Sequence, residues 1–227
     1  SYVQKLIKTE NVVVNGEPVK ASYRLLIGDR LEITVPDARE PESEAEEIPL
    51  NILYEDSDII IVNKPKQMVV HPAPGHLSGT LVNALMYHCR QELSGINGML
   101  RPGIVHRIDM DTTGSLVVCK NDKAHQSLAE QLKEHSIRRI YVAVVHGNLK
   151  ADSGTVDAPI GRHPTERKRM SVHAKNGKRA VTHYKVLERF GAFTFIQCEL
   201  ETGRTHQIRV HMASIGHPLL GDAVYGP

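Results

Sequence analysis

Short runs of apolar residues, separated by turn residues, cover the first 36 positions of the chain. Residues 3–8 predict a short helix, and the Asn15-Gly16 pair between two β-prone runs predicts a type I′ hairpin over residues 12–19. Apolar and polar residues alternate again over 25–35, on both sides of a Gly-Asp pair, and predict two more short strands. The pattern indicates a small β-rich module comprising residues 1–36.

The apolar pattern stops over residues 37–48, which are acidic, contain proline and lack large apolar side chains except at the final position. We interpret them as an extended linker. From residue 49 onward, strand and helix patterns are mixed, as in an α/β or α+β domain. The predicted strands are 59–62, 116–120, 140–145, 181–187 and 193–200, and the predicted helices begin after Thr80, Asp122 and Thr205, each as a possible N-cap.

The composition is that of an ordinary globular protein, with 41% hydrophobic residues among 227. No run approaches the ~18 apolar residues of a membrane span. The first residues show neither an initiator Met nor a signal-peptide pattern, so we expect a cut or processed start. Three widely separated cysteines predict reduced thiols in a cytoplasmic protein.

The charge is unevenly distributed along the chain. Residues 1–48 hold six Lys/Arg and ten Asp/Glu, a net charge of −4, which leaves +6 for residues 49–227. Positive charge is concentrated in the predicted loop 161–179, which has seven Lys/Arg and one acid, Glu166. Such a loop is either a solvated face or a surface that binds a polyanion.

The stretch from His106 to Gly114 combines polar chemistry with the start of a core strand. Asp109 lies two residues from Arg107 and shortly before the apolar run 116–120. A carboxylate beside a cation at the edge of a core is typical of a catalytic group. The alternative is a turn whose Asp and Thr side chains bind their own backbone, a role that we assign to Asp111.

Other chemistries lack the residues that they need. Of the thirteen histidines, His206 and His211 are five residues apart, so on a helix they diverge by about 140°. No metalloprotease motif, nucleophile elbow, Walker loop or dinucleotide-binding motif is present. We therefore expect no metal and no nucleotide cofactor. Tyr141 remains open between a residue that stacks on an extruded base and a packed strand residue.

Five separate motifs resemble those of one enzyme family. The sequence from His106 to Gly114 is similar to the His-Arg-Leu-Asp-x-x-Thr-Ser-Gly signature of the RluA family of pseudouridine synthases, and the flanking motifs resemble its RluD-like members. These flanking motifs are 62–65 with 69–72, 101–105, 162–165, and 202–211. The similarity covers most of residues 49–227. The region 3–16 resembles the later part of an S4 RNA-binding domain.

The resemblance implies isomerisation of uridine to pseudouridine in a structured RNA of the large ribosomal subunit, by a monomer without cofactor. It implies an α+β fold with a mixed, mostly antiparallel sheet, flanking helices and a central active-site cleft. Asp109 is then the catalytic carboxylate, Tyr141 stacks on the target base, Arg204 pairs with Asp109, and Arg107 fills the gap left by the flipped nucleotide. The other expected RNA contacts are Lys64, His106, Arg162, Arg167, Lys168 and Arg169.

Three departures from the family pattern qualify these expectations. Ile108 and Thr113 replace the commoner Leu and Ser, which are mild changes. The S4-like region lacks its first helix, and the chain stops at residue 227, where family members usually continue, so we expect a partial chain. The attack point of the aspartate, on sugar, base or a sugar proton, stays open. The competing hypothesis is a non-catalytic RNA-binding or ribosome-assembly factor with the same fold.

Overall fold

The computed structural model describes residues 2–34, 44–73, 75–90, 92–98, 101–166 and 169–227. Of Tyr2 and Lys5, it describes the backbone alone. The chain forms two compact units, Ser1–Glu42 and Ser43–Pro227.

The described residues of the first unit form a short helix and a three-stranded antiparallel sheet. Its elements are α1 (Tyr2–Lys8), β1 (Val12–Val14), β2 (Glu17–Pro18) and β3 (Leu31–Ile33), with β1 in the middle of the sheet. The β1–β2 turn has positive φ at both Asn15 (54°) and Gly16 (85°), as a type I′ turn requires. The predicted hairpin is therefore confirmed.

Residues 23–30 form a loop. The prediction of the first of two strands between 25 and 35 is therefore wrong. Asp29 organises this loop, because its carboxylate accepts hydrogen bonds from the backbone N–H of Leu26 (2.8 Å), the amide of Asn15 (2.8 Å) and the hydroxyl of Tyr23 (3.1 Å). These local bonds fold the chain back on itself and compete with strand pairing. The second strand forms as β3.

The described residues of the second unit form two larger antiparallel sheets, a two-stranded hairpin and three helices. The first sheet has the order β4-β5-β6 and the second β7-β12-β11-β8, and a short hairpin, β9-β10, stands apart from both. The elements are β4 (Ile52–Glu55), β5 (Ile59–Lys64), α2 (Leu81–Cys89), β6 (Gly114–Cys119), α3 (Asp122–Lys133), β7 (Ile140–His146), β8 (Ser153–Asp157), β9 (Gly161–Arg162), β10 (Met170–Ser171), β11 (Val181–Arg189), β12 (Phe193–Leu200) and α4 (Gln207–Ser214).

Each sheet of the second unit has its own apolar core. The first core packs β5 and β6 against α2, with Leu81 and Leu85 fully buried. The second core packs β7 and β12 against Met212 of α4. Tyr141 packs against both cores. The α+β class with mostly antiparallel strands is confirmed, and Tyr141 marks the place where the two sheets meet.

The helices of the described residues are short, at 7 to 12 residues. Thr80 is the N-cap of α2 as predicted, and it forms a capping box with Asn83. The cap of α3 is Asn121 and not Asp122, because its side chain accepts the N–H of Ala124 at 2.9 Å. Among these described helices, none is both long and apolar enough to span a bilayer.

The end of the predicted acidic linker is held against the second unit. Glu44 accepts a hydrogen bond from the Asn83 side chain at 2.7 Å, and the Glu46 carboxylate accepts the N–H of Gly79 at 3.0 Å. Both partners lie at or just before the start of α2, and the Glu46 carboxylate is there close to the positive end of the helix dipole. Residues 44–48 are therefore part of the second unit, whereas residues 37–43 lie outside the described residues.

Candidate active site

A buried lysine holds the loop that carries the central motif, residues 106–114. Lys64, at the end of β5, pairs with Gly114, the first residue of β6. Its ammonium donates to the backbone carbonyls of Pro65 (2.7 Å), Met68 (2.8 Å) and Met110 (2.9 Å). Lys64 is 1% exposed. The expectation that Lys64 contacts RNA is thereby corrected, since its ammonium is used inside the protein to hold the motif loop.

Replacing Lys64 by Met is expected to lower the free energy of unfolding by about 3 kcal/mol, because three backbone carbonyls in partly buried hydrogen bonds lose their ammonium donor. Urea-induced unfolding at pH 7 measures this change. The matched control is Lys66→Met at an exposed neighbouring position, which we expect to stay within about 0.5 kcal/mol of the wild type. Equal stabilities for the two variants would contradict a structural role for Lys64.

A pocket of about 380 Å³ lies against this loop. Its lining includes the predicted residues Asp109, Tyr141 and Arg204, together with His106 and Arg107. The residues come from three separate parts of the chain: the central motif, the start of β7, and the turn before α4. The structure therefore brings together the residues that the motifs single out.

Asp109 is held by a cation that the sequence analysis did not select. Its Oδ2 accepts a hydrogen bond from Nη1 of Arg209 at 3.2 Å, and Nε2 of His206 lies 4.0 Å from the same oxygen. Arg209 also binds Asp222 through Nε (2.6 Å) and Nη2 (2.9 Å), and its guanidinium lies 5.0 Å from the ring centre of Tyr225. Hydrogen bonding to Asp222 raises the pKa of Arg209 further. The partner of Asp109 is thus a permanently charged and immobilised arginine.

The expected pair between Arg204 and Asp109 is not formed. Arg204 is exposed on the wall of the pocket, and its Nε donates to the backbone carbonyl of Arg179 at 3.0 Å. The physical reason lies in where α4 begins. His206 is in the left-handed conformation (φ 55°), so the helix starts at Gln207 and not after Thr205. Arg209 then lies in the first helical turn, where its side chain reaches Asp109.

The turn before α4 is set by the buried side chain of Gln207. Its Oε1 accepts from the Thr202 hydroxyl (2.8 Å) and from the backbone N–H of Arg204 (3.0 Å). Its Nε2 donates to the carbonyl of Val181 (2.9 Å) and the hydroxyl of Thr182 (3.0 Å). A fully satisfied buried amide of this kind rigidifies its surroundings. This network keeps the arginine-bearing turn in place beside the sheet.

Tyr141 and its neighbour Arg139 form another side of the pocket. Burial raises the pKa of the Tyr141 phenol; Arg139 acts against this and the Asp109 carboxylate adds to it, so the phenol is neutral at pH 7. Nη2 of Arg139 donates to the carbonyl of Glu201 at 2.9 Å. Arg139 directly precedes the predicted strand 140–145, and the sequence analysis gave it no role. In the structure it lies on the pocket lining with Arg107, Arg204 and Arg209.

His106 is neutral and points one nitrogen into the protein. Its Nε2 accepts the backbone N–H of Val117 at 3.1 Å, so its proton is on Nδ1. Burial, with a smaller contribution from Arg139, lowers its pKa to about 4. Arg107, next to it, is exposed. If the predicted RNA contacts form, His106 offers a neutral ring on the pocket lining. Arg107 offers a cation that faces solvent.

One group of metal-ligating side chains comes together among the described residues: Glu55, His88 and Cys89. The Glu55 carboxylate is already bound by Lys120 at 3.0 Å and by His88 at 2.8 Å. Burial raises the pKa of the Cys89 thiol to about 11. None of the three lines the pocket, and all three cysteines of the chain are buried and free. We assign no metal to this group.

The sequence profile of one protein family, described as RNA pseudouridylate synthase, matches residues 58–214, which include Asp109, Tyr141, His206 and Arg209. The chain belongs to the RNA pseudouridylate synthase family. It is thus an RNA pseudouridine synthase, an enzyme that isomerises uridine within RNA.

Relatives of the synthase are similar over the whole chain. An uncharacterized RNA pseudouridine synthase of Bacillus subtilis, YlyB, is 59% identical over 227 residues, which are 100% of this chain and 74% of that protein. The ribosomal large subunit pseudouridine synthase D of Escherichia coli K12 is 48% identical over 227 residues, 100% of this chain and 68% of that protein. Among solved structures, human RNA pseudouridylate synthase domain containing 1 matches with a TM-score of 0.64 and 29% identity, covering 81% of this chain and 72% of that one.

The described residues of the basic loop include a short hairpin. Its β9 and β10 form a hairpin in which Arg162 pairs with Met170, and the Arg162 side chain is exposed. The guanidinium of Arg169 lies 5.4 Å from the ring centre of Tyr225 and 3.3 Å from the Glu166 carboxylate. Arg167 and Lys168 lie outside the described residues. Arg169 thus supports Tyr225, and Arg162 is the more exposed of the two.

Proposed function

We propose that this synthase modifies uridines of structured RNA in the large ribosomal subunit and that Asp109 is its catalytic carboxylate. The observation that carries the second part is the arrangement around Asp109. Within the described part of the chain, Arg209 and His206 both approach Oδ2, and no hydrogen bond to Oδ1 is found. A carboxylate held on one oxygen by a fixed cation keeps its orientation, and its second oxygen is available to a substrate.

The pocket fits a nucleoside that has left its stack. Its volume of about 380 Å³ lies in the usual range for ligand sites. Chemistry on a base within folded RNA requires that the target nucleotide leave its stack. Tyr141 presents a neutral aromatic ring on which a flipped uracil can stack, and Arg107 is exposed beside the pocket, where it can occupy the vacated position.

The reaction is a rearrangement without a change of oxidation state. The N1–C1′ bond breaks, the uracil turns within the pocket, C5 bonds to C1′, the C5 proton leaves to water, and N1 takes up a proton from water. Attack on the sugar, attack on the base and removal of a sugar proton all require an ionised Asp109. Neither a metal nor a nucleotide cofactor enters this scheme.

The ribosomal substrate is supported by the relatives, several of which are named ribosomal large subunit pseudouridine synthase D. The positive charge of the pocket surroundings, with Arg107, Arg139 and Arg204 on its lining, suits a polyanion. We further propose that the protein acts as a monomer in the cytoplasm, in keeping with its free, buried cysteines.

Release of tritium from [5-³H]uridine in large-subunit ribosomal RNA tests this proposal. Under single-turnover conditions, we expect the wild-type protein to release tritium from this RNA and not from small-subunit RNA of equal uridine content. Binding of the RNA without release would instead identify a non-catalytic RNA-binding or assembly factor. Equal release from both RNAs would overturn the large-subunit assignment alone.

A further inference from the structure

His206 lies between the catalytic carboxylate and a buried tyrosine. One ring nitrogen, Nε2, is 4.0 Å from Oδ2 of Asp109, and the other, Nδ1, is 2.8 Å from the hydroxyl of Tyr225. The two rings meet edge to face, with centroids 5.6 Å apart. His206 lines the pocket and adopts the left-handed conformation that is uncommon for a residue with a Cβ. The ion pair between Arg209 and Asp109 explains neither this backbone conformation nor the placement of the two ring nitrogens beside Asp109 and Tyr225.

The hydrogen bonds determine where the imidazole carries its proton. The Tyr225 oxygen accepts the backbone N–H of Met170 at 2.8 Å. A backbone N–H can only donate, so the Tyr225 hydroxyl still has its own hydrogen to donate, and we assign that hydrogen to Nδ1 of His206, 2.8 Å away. A neutral imidazole that accepts at Nδ1 carries its proton on Nε2, the nitrogen that faces Asp109.

The charges around His206 are compatible with a neutral ring. Burial lowers its pKa. Arg209 and Arg107 act in the same direction, whereas Asp109 and Asp222 oppose it. The ring therefore stays neutral at pH 7, and its protonation pattern is set by the Tyr225 hydrogen bond.

We propose that His206 is a positioning residue for Asp109: Tyr225 fixes the Nε2–H tautomer, and this N–H holds Oδ2 together with Arg209, so that Oδ1 faces the substrate. The proposal rests on the catalytic role of Asp109. The separation of 4.0 Å is longer than a hydrogen bond, as is common for catalytic contacts before substrate is bound. Closure of the pocket around a nucleoside brings the N–H and the carboxylate together.

Two amide substitutions test the roles of the two imidazole nitrogens one at a time. In His206→Gln, the amide nitrogen can take the place of Nε2 and donate to Asp109. In His206→Asn, the shorter amide reaches the position of Nδ1 and can serve Tyr225 alone. Asn also tolerates the left-handed conformation better than Gln does, so backbone strain favours the variant that we expect to be impaired.

We expect His206→Asn to lower kcat about 10- to 100-fold with KM for the RNA unchanged, the usual cost of a hydrogen bond to a charged group. We expect His206→Gln to retain kcat within about fivefold. Tritium release from [5-³H]uridine RNA gives kcat and KM, and thermal unfolding midpoints control for folding. Equal losses in the two variants, or an unimpaired His206→Asn, would overturn the proposal.

The tautomer itself is tested by Tyr225→Phe in two backgrounds. In the wild type, we expect this change to lower kcat several-fold, because Nδ1 can then carry the proton. In His206→Gln, whose donor does not depend on a tautomer, we expect it to change kcat less than twofold, and the lost Met170 contact is common to both backgrounds. Equal losses of kcat in both backgrounds would overturn the role of Tyr225 in fixing the tautomer of His206. A wild-type protein that releases no tritium would instead refute the proposed function.

Discussion

Replacing Asp109 by Asn is expected to reduce pseudouridine formation by a factor on the order of 10⁴ or more, since the loss of a catalytic nucleophile or base has effects of this size. The amide has the shape of the carboxylate but neither its charge nor its nucleophilicity. The surrounding site should persist, because Arg209 remains bound to Asp222. Single-turnover tritium release measures the loss, and gel-shift titration shows whether RNA binding is retained.

Asp111→Asn is the matched control for this prediction. Asp111 has the same charge, lies two residues away and is exposed, and its side chain does not line the pocket. We expect its activity to stay within about twofold of the wild type, as for other surface changes. Retained turnover in Asp109→Asn, or an equal loss in Asp111→Asn, would remove Asp109 from the mechanism.

Replacing Arg209 is expected to cause the second largest loss of kcat. Arg209→Gln removes the charged donor to Asp109, and we expect kcat to fall by about 10²- to 10³-fold, as when a preorganised electrostatic contact is lost. Arg204→Gln, in the same motif, should leave kcat within about threefold and weaken RNA binding, because Arg204 is exposed and bonded to a backbone carbonyl. Kinetics at saturating RNA and binding titrations measure the two effects. The reverse result would restore the pair of Arg204 with Asp109.

Arg209→Gln also leaves Asp222, whose side chain is 5% exposed, without its partner. Breaking a buried pair in this way costs about 3 to 5 kcal/mol of stability. Asp222→Asn provides the control, because it disrupts the same pair but leaves Arg209 beside Asp109. We expect it to lower the unfolding midpoint while preserving most of kcat. A loss of kcat as large as that of Arg209→Gln would show that the buried pair, and not the contact with Asp109, is responsible.

Local patterns succeeded where the interactions are between neighbours in the chain. The Asn15-Gly16 hairpin and the Thr80 cap depend on backbone conformation and on bonds spanning a few residues, and both are present. Two predictions, the strand over 25–27 and the helix cap at Thr205, failed although the interactions that decide them are also local. In each, a nearby side chain, Asp29 or Gln207, binds backbone N–H groups in a way that alternation and cap preferences do not represent.

The sequence by itself determined the family, the α+β class and the motif stretches from which the site is built. Its motifs selected Asp109 and Tyr141, and the pocket contains both. Only the tertiary structure decided which cations serve them. Lys64 is buried by the pairing of β5 with β6, and Arg209 replaces Arg204 because α4 begins one residue after a left-handed His206. The physical reason is that ion pairing depends on the rotation of an element about its axis and on its distance from another, and residue spacing along one chain segment encodes neither.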